Sequence, residues 1–210
     1  MADAQFTKTA IAAEKTAVGP VVQIGGEPIR AHEAEAIRNQ LVKAIGTKRN
    51  YIRVSSASGP NLIHRTGGTA ESGITHSMRS AAKKNGVRYL LVTEITDNEV
   101  SRDIGQNCVD ETEDIVDECG KVIGHRHIST TFTTTSQSTR KVAARFKMLD
   151  LEKGKTVWVS RSDSANTTSN SSDSCFSFPP PPPFPVPPKA DGIGMTIARA
   201  AVRKLPRGGI

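Results

Sequence analysis

The alternation of apolar and polar side chains is clearest between Arg140 and Ser160, RKVAARFKMLDLEKGKTVWVS. Every second position there is apolar, at Val142, Ala144, Phe146 and Met148. A second apolar run, 157–159, follows the charged and glycine-containing segment 152–154. A two-residue period is that of a strand with one buried face, and the intervening residues favour a turn. The pattern therefore predicts two strands joined by a tight turn.

Three other segments repeat apolar residues at the three- and four-residue spacing of an amphipathic helix. The first runs from Ala31 to Lys48, with Gly46 as its expected C-terminal stop. The second ends near Asn85–Gly86, and the third follows Asp191, a residue type that caps helices. The apolar positions are Ala34, Ile37, Leu41 and Ile45, then Ile74, Met78, Ala81 and Ala82, then Ile193, Ile197, Ala201 and Leu205.

The remaining apolar runs predict strands. Val18–Ile24 reads as a first strand that bulges or begins at Pro20, and Tyr51–Val54 as a short second strand. A third strand opens at Tyr89 and continues towards Ile104, with Lys121–Leu151 as its antiparallel partner. The order β-α-β-α-β-β-β-α predicts an α/β fold of the α+β type. We expect a mixed, mainly antiparallel sheet of about five strands, a long hairpin of the third and fourth strands, and helices on one face.

Residues 1–159 are accordingly expected to form the main part of a single α/β domain. Residues 160–190 form a Ser/Thr-rich and then proline-rich linker or excursion, and residues 191–210 a helix that packs back on the same domain. The proline run PPPPPFPVPP is predicted to be a left-handed polyproline II (PPII) helix. Two roles stay open for it: a spacer whose phenylalanines pack on the domain's own sheet, or a partner-binding strip. The apolar anchors of that strip would be Phe176, Phe178 and Phe184.

Charge is distributed unevenly along the chain. The formal net charge is +7, yet six of the 21 acidic residues lie between Asp110 and Glu118, so the rest of the chain carries 28 − 15 = +13. Such asymmetry favours association with an anionic polymer. No stretch approaches the roughly 18 consecutive apolar residues of a spanning helix.

The cysteines are the other candidate site. Cys108 and Cys119, with ten residues between them, are predicted to form a disulfide across the hairpin, in a register that sets Ile104 opposite Ile123. Two alternatives use neighbouring residues: a zinc site that adds His125 and His127, and a calcium site made of the six carboxylates. We expect neither metal, no cofactor and no catalytic residue, because no spacing matches a known module.

Two segments carry a resemblance to a known group of proteins. Gly86–Ile95, GVRYLLVTEI, and the hairpin Leu149–Trp158, LDLEKGKTVW, resemble segments of three bacterial families. These are the penicillin-binding-protein activator lipoproteins, the curli-assembly lipoproteins and the amino-terminal domain of the Tol-Pal translocation protein. The resemblance implies the same fold over nearly the whole chain.

The resemblance also implies an exported, non-enzymatic domain of the cell envelope, located in the periplasm or secreted. Such a domain binds an envelope protein or associates with itself, and takes no small-molecule substrate. The lipoprotein members begin with a signal peptide and a lipid-bearing cysteine, and this sequence shows neither. Residues 1–4 are also compatible with a start codon placed on a processed mature end, so membrane anchoring is left open for this form. The alternatives from other classes are a basic protein that binds nucleic acid or another polyanion, and a metal-dependent enzyme.

Overall fold

A computed structural model describes residues 15–48, 53–54 and 76–206. Within them the chain forms five strands and three helices in the predicted order. These elements are β1 (Lys15–Gln23), α1 (Ala31–Lys48), β2 (Arg53–Val54), α2 (His76–Lys84), β3 (Val87–Val116), β4 (Val122–Asp150), β5 (Lys155–Ser174) and α3 (Ala190–Lys204). Tyr51, Ile52 and Ile74 lie outside the described residues.

The strands form one mixed sheet in the order β2-β1-β3-β4-β5. β1 pairs in parallel with β2 and with β3, and its register shifts between Val18 and Val21, where Pro20 has no amide proton to donate. β3, β4 and β5 follow one another through short turns, which only antiparallel neighbours allow. The predicted sheet, the bulge at Pro20 and the long hairpin are confirmed.

The described residues divide into two compact units. The first unit lies within residues 1–99, 141–165 and 189–210, and the second within residues 100–140 and 166–188. β3, β4 and β5 each contribute residues to both units.

The first unit holds two apolar clusters, one on each face of the sheet. α1 and α3 cover the larger cluster, which includes Phe146, Met148 and Trp158. Gly194 lets these helices approach each other, because a Cβ there would lie 2.2 Å from Cγ1 of Ile37. α2 covers the second cluster, in which Met78 and Ala82 meet Leu90 and Val92. The expectation that all helices share one face is therefore wrong.

One buried carboxylate caps both helices of the larger cluster. Glu33, at the third position of α1, accepts the amide of Arg30 at 2.9 Å, which is half of a capping box. Its other oxygen accepts the amide of Ala190, the first residue of α3, at 3.1 Å. Asp191 was expected to cap α3; its carboxylate instead accepts the adjacent amide of Gly192. α1 also continues past Gly46 to Lys48, so that glycine is not its stop.

The β4–β5 turn, part of the hairpin that carries the family resemblance, is organised by Asp150. One oxygen of this buried carboxylate accepts the amides of Glu152 and Lys153 at 3.1 and 3.0 Å, and the other accepts Arg88 at 3.3 Å. Burial alone would lower the pKa of Arg88, but Tyr89, Asp150 and Glu152 together raise it, so the guanidinium stays charged. The turn closes at Gly154, which has a φ of +70°.

The shared cap gives a prediction about stability. Glu33→Ala leaves the amides of Arg30 and Ala190 without their acceptor in a buried place, so we expect a loss of about 2 kcal/mol in the free energy of unfolding. Urea denaturation measures it. Glu35→Ala on the same helix is the control, because Glu35 is exposed and its pair with Arg38 contributes less than about 0.5 kcal/mol. Equal losses in the two variants would show that Glu33 does not act as a cap.

Candidate protein-binding surface

The tip of the β3–β4 hairpin lies at Asp117–Lys121. The Asp117 amide donates to the Lys121 carbonyl at 2.9 Å, and the Asp117 carboxylate accepts the amides of Cys119 and Lys121, both at 2.9 Å. The acidic residues before it belong to β3, where side-chain bonds join Asp110 to Thr130 and Glu111 to Ser129. The register predicted from the sequence, with Cys108 facing Cys119, is therefore wrong.

The cysteine bridge predicted on that register is not formed. Cys119 lies in the turn, whereas Cys108 lies nine residues before Asp117, about 30 Å along an extended strand. A disulfide needs Cα atoms less than about 7 Å apart. All three cysteines, Cys175 included, are free and exposed.

The two histidines of the hairpin do not join a metal site. His125 bonds to Asp114 at 2.8 Å, and His127 bonds to Thr130 at 2.8 Å and lies 3.5 Å from Asp110. These are cross-strand and local pairs on an exposed surface. Among the described residues no group of three His, Cys, Asp or Glu side chains could hold a metal ion. Of the six carboxylates considered for calcium, four are spread along β3, and Asp117 and Glu118 lie in the turn.

The low-complexity segment 160–174, expected to be a linker, forms most of β5. Side-chain hydrogen bonds fix its register against β4: Thr133 donates to Asp173 at 2.7 Å, and Thr139 bonds to Thr167 at 2.8 Å. The sequence numbers add to the same total in both pairs, as an antiparallel ladder requires. The same register sets Ser136 opposite Asn170.

The proline-rich segment Pro179–Pro188, here called the proline strip, lies on one face of β4 and β5. On β4, the hydroxyls of Thr134, Ser136 and Ser138 donate to the carbonyls of Pro179, Pro182 and Pro185, at 2.8, 2.6 and 2.8 Å. On β5, Ser172, Asn170 and Thr168 donate to the carbonyls of Pro180, Pro183 and Val186, at 3.3, 2.9 and 2.9 Å. The acceptors advance by three residues while the donors move by two. Three residues is the repeat of a PPII helix, and two residues is the repeat of a strand. We call these six hydrogen bonds the inner ladder.

The phenylalanines around the strip differ in exposure. The Phe178 ring packs edge-on against Phe132 with centroids 5.1 Å apart, and Phe184 lies under the guanidinium of Arg102 at 5.7 Å. Phe178 is 42% and Phe184 41% exposed, whereas Phe176 is 92% exposed. Two of the three predicted anchors therefore contact the second unit itself, yet all three present apolar area to solvent.

Burial in the second unit is the reverse of that in the first. Among residues 100–140 and 166–188, all of which the structure describes, the buried residues are Thr134, Ser136 and Ser138. Most large apolar side chains of that unit are exposed, whereas Phe132 and Val100 are half-buried. The exposed ones are Ile104, Val109, Ile115, Val116, Val122, Ile123, Ile128, Phe176, Phe178, Phe184 and Val186. Contiguous patches of exposed apolar side chains are typical of surfaces that bind proteins.

The basic residues form a smaller feature in the first unit. Lys141, Arg145 and Arg161 line a groove together with Asp163. The nearly buried Glu94 accepts Arg145 at 2.7 Å and Lys147 at 2.6 Å, so part of the local positive charge is balanced. Binding of an anionic polymer stays a prediction.

The inner ladder gives a second prediction. In the triple variant Thr134→Val, Ser136→Ala, Ser138→Ala, three carbonyls of the strip lose their donors, at about 1 kcal/mol each, and we expect the strip to leave the sheet. Fluorine NMR of 4-fluorophenylalanine at Phe178 then shows a narrow line at the shift of an unfolded chain. Thr135→Val, on the opposite face of β4, should leave the signal unchanged. An unchanged signal in the triple variant would mean that the β5 donors and the aromatic contacts are enough to hold the strip.

No helix of the described residues has both the length and the apolar character needed to cross a membrane.

No family model matches the sequence, and no curated protein matches it either. Similar folds occur among solved structures. The LpoB C-terminal domain from Salmonella enterica is 11% identical with a TM-score of 0.42, and the match covers 77% of this chain and 87% of that one.

Two further matches have similar statistics. Lipoprotein GNA1162 from Neisseria meningitidis is 13% identical with a TM-score of 0.41, over 91% of this chain and 96% of that one. PelC from Paraburkholderia phytofirmans, solved as a dodecamer, is 13% identical with a TM-score of 0.37, over 92% and 90%. One of these matches is a lipoprotein. At these identities and TM-scores the likeness assigns neither a family nor a function to this chain.

Proposed function

We propose that this protein is a non-enzymatic interaction domain of the cell envelope, and that its second unit is the part that binds a partner protein. The observation that carries the proposal is the reversed burial of that unit, with hydroxyl side chains inside and Ile, Val and Phe outside. Removing apolar area from water contributes about 25 cal/mol per Å² to binding, before the entropic costs of association are subtracted.

The architecture of the two units supports this division of roles. The first unit has two apolar clusters and the doubly capped helix pair, and can hold its fold by ordinary core packing. The second unit holds its shape through side-chain hydrogen bonds and cross-strand pairs, and its apolar side chains remain available. Nine of the eleven surface apolar residues lie on strands or on the restrained proline strip, so they can meet a partner with little further loss of conformational entropy.

Site-specific photo-crosslinking tests the binding role. A photoreactive phenylalanine analogue at Ile123, Phe176 or Val186, expressed in the source organism, should give one discrete adduct after irradiation. The control is the same analogue at Glu35, which is exposed on α1 of the first unit. The adduct mass tells a second copy of the chain from an envelope protein. Adducts that form equally from Glu35, or from no position, would contradict the proposal.

The proposed location is testable with the chain's own thiols. Cys108, Cys119 and Cys175 are exposed, so a membrane-impermeant maleimide should label them in intact cells whose outer membrane has been permeabilised. A mild reducing step beforehand returns any oxidised thiol to its reactive form. A cytoplasmic protein with exposed cysteines is the control and should react only after lysis. Labelling of this chain only after lysis would place it in the cytoplasm.

A further inference from the structure

The sheet of the second unit carries a second row of polar side chains on the face opposite the proline strip. On β4 these are Thr133, Thr135, Gln137 and Thr139, at alternate positions. The register of the strands sets them opposite Asp173, Ser171, Ser169 and Thr167. We call these four pairs the outer ladder. It has the same spacing and nearly the same side-chain types as the inner ladder.

Four side chains in the middle of the outer ladder have donors that are not used within the described structure. Ser169, Ser171 and Gln137 are exposed and Thr135 is half-buried. None of these four side chains has a hydrogen bond to another described residue. The two end pairs, Thr133 with Asp173 and Thr139 with Thr167, bond across the strands and so fix the geometry of the row.

We propose that the outer ladder is a binding site for a proline-rich segment of another protein in the PPII conformation. The inner ladder shows within this molecule what such a row of side chains binds. A PPII helix has carbonyls without internal partners, and its prolines have no amide proton to compete for acceptors. Hydroxyls and amides on two adjacent strands supply the donors that such carbonyls need.

Other ligands fit the outer ladder less well. An added β-strand pairs with the edge of a sheet, through amides and carbonyls in its plane, and not with a face. A polyanion would meet the carboxylate of Asp173 at one end of the row and no basic side chain within the four pairs. The donors are neutral, so a PPII ligand should bind with little dependence on salt, unlike a polyanion.

The inference rests on the proposed function, because it takes the second unit to be the partner-binding part and names the chemistry of one partner. A suitable probe is a fluorescent decapeptide with the strip's own sequence, PPPPPFPVPP, added to the intact chain. We expect saturable binding by fluorescence anisotropy, similar at low and high salt. A Gly-Ser peptide of equal length has carbonyls but no PPII preference, and should not bind.

Paired variants locate the site. The double variant Thr135→Val, Ser171→Ala removes two outer donors and should weaken binding about tenfold, as expected for two neutral hydrogen bonds. Ser138→Ala removes one inner donor and should leave the affinity unchanged. Should the double variant fold poorly, by the fluorine signal of Phe178, Ser171→Ala alone on edge strand β5 replaces it, with a smaller loss expected.

Several outcomes would overturn the inference. They are absence of saturable binding, equal binding of the Gly-Ser peptide, and loss of affinity in Ser138→Ala but not in the outer variants. The last result would mean that the peptide replaces the chain's own strip on the inner ladder. Crosslinking from Ile123 or Phe176 uses other side chains, so an adduct there without peptide binding would retain the proposed function and remove only the proline-rich ligand.

Discussion

A run of prolines can accept hydrogen bonds but cannot donate them, and the second unit is built around that constraint. The proline strip cannot extend the sheet as another strand, because pairing at an edge requires amide protons. It lies instead on the face of β4 and β5, where side chains supply the donors. Those side chains must be short, polar and at alternate positions. Thr168, Asn170 and Ser172 of the low-complexity segment meet this requirement.

The same constraint explains why the second unit has no apolar core. The side chains that point from β4 and β5 towards the strip carry hydroxyls and one amide. The space between sheet and strip therefore contains hydrogen bonds in place of apolar contacts. A buried hydroxyl that has its hydrogen-bond partners reduces the free energy of unfolding little, whereas a buried hydroxyl without a partner reduces it substantially. The apolar residues of the unit consequently lie elsewhere, on the hairpin surface and around the strip. The first unit is held together differently. Its helices pack on apolar clusters, and Glu33 on α1 bonds to the first residue of α3, 157 residues away in the sequence.

Sequence reasoning succeeds here where apolar periodicity decides the structure. The bounds of α1, the order of the elements and the bulge at Pro20 all follow from the spacing of apolar residues and from the chemistry of proline. It fails where polar residues alone build an element. β5 beyond Ser160 has strand alternation, but with Ser, Thr and Asn on both faces, so no hydrophobic period marks it. The one available signal was the adjacent proline run, whose carbonyls need donors.

The acidic window shows the same limit. The bridge predicted between Cys108 and Cys119 places the acidic window at the tip of the hairpin. In the structure the window is strand as far as Val116, because His125, Arg126, Ser129 and Thr130 on β4 pair with its carboxylates. Each pair contributes a few tenths of a kcal/mol, and their sum outweighs the propensity of single residues. The position of the turn is set by Asp117 and Gly120, whose Asx-turn bonds and φ of +78° favour a tight reversal.

The geometry of the inner ladder also limits its length. Three residues of a PPII helix advance about 9.3 Å, whereas two residues of a strand advance about 6.7 Å. Donors and acceptors therefore drift apart by about 2.6 Å at each step if strip and strands run side by side. The observed hydrogen bonds span two such steps on each strand, and over many more steps the drift would exceed the reach of short side chains. A ladder of this kind is thus suited to a short proline-rich segment, and its donors favour a chain of about the length of Pro179–Pro188 over a longer one.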